Sequence, residues 1–144
     1  MTLRPSARAL VRLAIGLLLV GALAGGWEIL ASQSPYSPFR LGVLPAPIAQ
    51  LRATAITLAL LHFSAAWLLP WMAPDREPTY LVTALYVGSL LTIAALLYGA
   101  ATGMMGLQID DVRTDARILL ATRATGLVIL LLCLLDVARR VLRR

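Results

Sequence analysis

ATAITLALLHFSAAWLLPWMAPDREPTYLVTALYVGSLLTIAALLYGAATG, residues 53–103, holds two long apolar runs separated by one short polar break, APDREPT at 73–79. A helix needs about 20 apolar residues to cross the roughly 30 Å hydrocarbon core of a bilayer, because each residue adds about 1.5 Å. Ala53–Met72 and Tyr80–Gly103 both meet that requirement. Two such helices joined by seven residues must lie side by side and antiparallel. The stretch therefore predicts an all-α, polytopic membrane fold.

Working outward, two more runs of the same kind appear, Leu13–Ala31 and Ile118–Val137. The expected architecture is a single four-helix transmembrane domain over residues 1–144, with spans at about 13–31, 53–72, 80–103 and 118–137. Composition agrees. Of 144 residues 60% are apolar and 14% charged, with mean hydropathy +0.83. Soluble proteins carry roughly 25% charged residues. No internal repeat and no soluble domain is visible. The lone Cys133 sits deep in the last run, which excludes an intrachain disulfide and leaves the redox compartment undetermined.

The first run has a rival reading. Arg4, Arg8 and Arg12 precede an apolar core, and ALA at 22–24 resembles a signal-peptidase site. The apolar run continues to Ala31, so a retained helix is the expectation.

All thirteen basic residues are arginine, which fits a GC-rich bacterial source, and the net charge is +6. Most of that charge flanks the spans, where it orients the chain and meets lipid headgroups, so no nucleic-acid partner is implied. With a cytoplasmic N-terminus the inner side holds Arg4, Arg8, Arg12, Arg76, Arg139, Arg140, Arg143 and Arg144. The outer side then holds Arg40, Arg52, Arg113 and Arg117, with Arg123 near it. Eight against four or five supports both termini in the cytoplasm of a multi-pass protein of the bacterial inner membrane. Trp27 and Tyr36 fall at the outer interface and Trp71 and Tyr80 at the inner one, as amphipathic aromatic belts require.

The connection Ser32–Gln50 contains Pro35, Pro38, Pro45 and Pro47, which excludes one regular helix. Its apolar part, LGVLPAPIA, suits a loop along the headgroup boundary; the sharper alternative is a docking or re-entrant segment.

Helices in lipid associate through small residues and hydrogen bonds, since hydrocarbon offers no drive to bury apolar surface. Gly21 with Gly25, and Gly99 with Gly103, are the candidate packing pairs, and ATRATG at 121–126 is similarly slim at the same depth. Close packing is expected there; the alternative is a cavity for lipid, quinone or a neighbouring helix.

Few polar residues interrupt the spans, and three are candidates for function: Glu28, His62 and Arg123. His62 lies near the middle of its span, where an unbonded imidazole is costly. It shares a helical stripe with Ala55, Ala59 and Ala66, and Ser89 and Thr92 occur at similar depth on the next span. His62 is thus expected to hydrogen-bond between the second and third helices. Metal ligation would need Met104, Met105 or Cys133, all at other depths. Arg123 lies five residues inside Ile118, close enough for its stem to snorkel outward, and pairing with Glu28 at the same depth would lower its cost further. Asp136 and Arg140 are spaced for an i,i+4 ion pair, and the acids of DDVRTDAR at 110–117 suit the start of the fourth helix.

There is no HExxH, Walker loop or CxxC, and no nucleophile with a histidine at matching depth. The expected function is non-enzymatic: a small accessory or scaffolding subunit of a larger membrane complex. Its partners would be membrane lipids and other membrane subunits or a second copy. The alternative is a small transporter or lipid- or quinone-binding protein with its site in the outer half. No cofactor is expected; lipid and quinone are the ligand classes such a site would suit.

Overall fold

The computed structural model describes residues 4–33, 45–72, 79–102 and 114–142, and among these every regular element is an α-helix. The four are α1 (Pro5–Gln33), α2 (Pro45–Met72), α3 (Thr79–Thr102) and α4 (Thr114–Leu142). Each carries a stretch long and apolar enough to cross a membrane: Pro5–Leu30, Ile48–Trp71, Thr79–Ala101 and Arg117–Arg140. Helix is the form such runs take, because it satisfies every backbone polar group within the segment.

Three of the helices are longer than their apolar runs, and for α1 and α2 the reason is visible at their starts. Pro5 and Pro45 are first helical residues, where a missing N–H removes no helical bond and the fixed φ suits the turn. The Arg4 carbonyl accepts the first bond, from Arg8 N at 3.0 Å. Pro45 and Pro47 therefore open α2 rather than break it, which corrects the expectation that residues 45–50 belong to a non-helical connection. Pro70 falls within the last turn of α2, so the carbonyl bond it forfeits costs little of the helix.

The helices run up and down. The near end holds the start of α1, the α2–α3 connection and the end of α4; the far end holds the other two connections. Contacts are concentrated in two antiparallel hairpins, α1 with α2 and α3 with α4. A sparser seam of α2 against α3 joins them, with α1 touching α3 and α2 touching α4 more lightly. The bulky core lies toward the near end, around Leu10, Leu69, Leu81 and Leu85, all at most 2% exposed. Between α3 and α1 the Tyr86 hydroxyl donates to the Ala9 carbonyl at 2.7 Å.

Glycine sets the spacing of both hairpins. A Cβ at Gly21 would lie 3.0 Å from Ile56 Cγ1, and one at Gly25 would lie 3.2 Å from Arg52 Cδ. The first obstacle is a β-branched side chain, 39% exposed but stiff at χ1, the second a swinging arginine stem. Alanine also gains about 0.5–1 kcal/mol of helix propensity over glycine. Gly21→Ala is therefore expected to be clearly destabilising and Gly25→Ala nearly neutral, as thermal melts in detergent would read. Equal melting shifts for the two would contradict this packing. Of the second expected pair, Gly99 is buried in α3 and Gly103 lies outside the described residues.

Candidate functional site

The polar groups within the bundle gather at three levels. At mid-depth His62 is completely buried, the prolyl- and glycyl-free middle of α2 carrying it onto the α3 side. Its Nδ1 lies 2.6 Å from the Leu58 carbonyl one turn back, so Nδ1–H is the donor. That leaves Nε2 to accept from the Ser89 hydroxyl on α3, at 3.4 Å. His62 thus bonds across the α2–α3 seam, to Ser89 but not to Thr92. Thr92 turns its hydroxyl to the Gly88 carbonyl instead, at 2.8 Å. Both hydroxyls face protein, and both ring nitrogens of His62 have partners within the chain.

Thr92 belongs to a close crossing of α3 and α4. A Cβ at Gly126 would meet Thr92 Oγ1 at 2.5 Å, the Gly88 carbonyl at 2.8 Å and Thr92 N at 3.0 Å. A Cβ at Gly88 would meet Leu130 Cγ at 2.9 Å and the Gly126 carbonyl at 3.1 Å. Only paired glycines let α3 and α4 approach so closely. Beyond this point, toward the far end, α3 and α4 do not fill the space between them. They leave a cleft of about 450 Å³ lined by Ala94, Ala95, Tyr98, Ile118, Leu119 and Thr122. The slim zone expected at this depth therefore does both things: it packs α1 on α2 and opens a cleft between α3 and α4. The Thr122 hydroxyl is bonded to the Ile118 carbonyl at 2.8 Å, so the cleft presents mainly hydrocarbon.

At the far end four polar side chains form a row across α1, α2 and α4. Glu28 Oε2 and Arg52 Nη1 form an ion pair at 2.7 Å, with the side chains 29% and 42% exposed. On the other side of α2, Arg123 Nη1 donates to Gln50 Oε1 at 3.5 Å. The expected pairing of Glu28 with Arg123 is thus replaced. Equal depth is not enough; Arg52 and Gln50 stand between the two on the first turns of α2. Gly25 serves this arrangement, since its bare Cα lets the Arg52 stem cross α1 to reach Glu28.

At the near end Tyr80, Asp136 and Arg140 clamp α3 to α4. The Tyr80 hydroxyl donates to Asp136 Oδ2 at 2.7 Å, and Arg140 Nε donates to the same oxygen at 2.9 Å. Arg140 Nη2 also donates to the Tyr80 hydroxyl, and its guanidinium lies over the Tyr80 ring, 5.5 Å from the centroid. The expected i,i+4 pair is present and recruits a tyrosine from the neighbouring helix. Trp71 and Tyr80 are exposed at this same end.

Met104, Met105, Tyr36, Asp110 and Asp111 lie outside the described residues. Among the described residues no three His, Cys, Asp or Glu side chains gather as a metal site would require. Sequence reasoning passed over Arg52, Gln50 and Gly88. The signal for the first two was the Pro-x-Pro at 45–47, which reads as a helix start once its position before an apolar run is weighed.

The sequence matches no protein-family model, and comparison with curated proteins and with solved structures finds no significant match.

Proposed function

We propose that this is a multi-pass protein of the bacterial inner membrane, with both termini cytoplasmic, that acts without chemistry of its own as a small accessory or scaffolding subunit. One observation carries the reading: the polar side chains inside the bundle are engaged within the chain, while α4 turns a continuous apolar surface outward over residues 127–135. His62, Thr92, Glu28 and Asp136 have partners from this chain. Thr57 and Thr125 likewise return their hydroxyls to carbonyls one turn back, at 2.9 and 2.8 Å. What α4 offers its surroundings is Leu127, Val128, Leu131, Leu132, Leu134 and Leu135, all exposed. Such a surface suits lipid and the helices of other subunits. The transport alternative needs a polar route past His62 or Arg123; the α3–α4 cleft favours only its apolar form, a lipid or quinone tail.

A photo-reactive residue at Leu131, introduced at native expression level, tests the reading. A discrete adduct with one membrane protein, absent when the probe is moved to buried Leu130, is expected. Lipid adducts alone, with the chain running as a monomer after mild extraction, would defeat it. Cysteine labelling near residues 4 and 142 checks orientation: both are expected to be protected in intact cells and labelled in inverted vesicles.

A further inference from the structure

At the far end the row of polar groups has two guanidiniums and one carboxylate, and the geometry assigns the carboxylate to Arg52. Arg123 is left half-buried with a neutral amide as its side-chain partner, at the long distance of 3.5 Å. Among the described residues its guanidinium has no carboxylate within 4 Å, the two ion pairs being Glu28–Arg52 and Asp136–Arg140. A guanidinium carries five N–H donors and no acceptor. Gln50 accepts that bond through its amide oxygen and carries two further N–H donors on the same group. The pair thus bears a net positive charge and is rich in donors. That pattern fits an oxyanion, and the forked donors of arginine fit a tetrahedral phosphate best.

Position narrows the class further. Arg123 lies six residues beyond Arg117, about 9 Å along α4 from the edge of its apolar stretch. Helical side chains lean toward the N-terminus of their helix, which for α4 is the far end, so the arginine stem reaches toward the membrane surface. That direction carries the guanidinium toward the headgroup phosphates.

We propose that Arg123 and Gln50 form a phosphate-binding site at the far end of the bundle, filled by a phospholipid headgroup or by free phosphate. The site does not depend on the subunit reading, since a chain with no protein partner would still fill it. The test is native mass spectrometry of the full chain in non-ionic, phosphate-free detergent. Phosphatidylglycerol, inorganic phosphate or diacylglycerol is added, the last as a phosphate-free baseline.

Wild type is expected to hold one phosphatidylglycerol at least about tenfold more tightly than Arg123→Gln, the loss expected for a charge-assisted contact. Gln50→Leu is expected to weaken it by a smaller factor. Arg123→Lys, which keeps the charge but loses the fork, should fall between. Diacylglycerol should not distinguish the variants. Displacement of the lipid by millimolar inorganic phosphate identifies free phosphate as the ligand; retention identifies the headgroup. Equal phosphatidylglycerol binding by wild type and a folded Arg123→Gln overturns the proposal. Where Arg123→Gln does not fold, equal binding by wild type, Arg123→Lys and Gln50→Leu overturns it.

Discussion

Gly126→Ala should lower the unfolding free energy of the bundle by about 2 kcal/mol, and Gly126→Val by more. The added methyl would fall 2.5 Å from Thr92 Oγ1 and within 3.0 Å of two backbone atoms of α3. Overpacking costs about 1–3 kcal/mol where side chains can adjust. Here the obstacles are backbone and a hydroxyl held to the Gly88 carbonyl, so α4 itself must move. Helix propensity works the other way, by about 1 kcal/mol in favour of alanine. Gly26 supplies the control: nothing lies within 4 Å of a Cβ there, so Gly26→Ala should be neutral or stabilising. Titration with a denaturing detergent, followed by loss of helical signal, reads both. A Gly126→Ala chain that unfolds with wild type would mean that α3 and α4 do not cross at this point.

The second large effect belongs to His62. His62→Ala is expected to cost about 2–4 kcal/mol, because it empties a fully buried site that the surrounding helices cannot collapse into without losing other contacts. His62→Leu, close in volume, should cost less than about 1.5 kcal/mol. The difference arises because hydrogen bonds between membrane helices average only about 0.6 kcal/mol, so the volume of the ring outweighs its bonds. Should His62→Leu fold as wild type yet abolish an activity, the imidazole would be functional and the non-catalytic reading would fail. Equal destabilisation by both variants would instead assign the stability to the Leu58 and Ser89 contacts.

The fold was legible where a single rule decided it. Length and hydropathy located all four helices, and the short α2–α3 connection located one register. His62 and Ser89 are equidistant from the middle of that connection, between Asp75 and Arg76, so antiparallel pairing brings them level. No such construction served α3 and α4. Residues 103–113 separate them, and a connection of that length permits several registers. The true crossing, Gly88 with Gly126, therefore stayed hidden behind the more conspicuous Gly99 and Gly103. Glu28 failed for another reason. Depth along a helix axis does not by itself decide a pairing, because the direction around the axis also matters. Arg52, read from the sequence only as an outer-side charge, stands on α2 directly across from Gly25.

The division of contacts into two rich hairpins and one sparse seam bears on how the chain is made. Helices enter a bilayer in the order of synthesis, and α1 and α2, neighbours in sequence, already hold most of each other's contacts. They can close as a finished unit before α3 and α4 emerge. The second pair then has little left to recognise besides His62, Ala9 and a few core leucines. Assembly becomes the docking of two ready-made halves, and separately expressed halves, residues 1–74 and 75–144, should find each other in the same membrane.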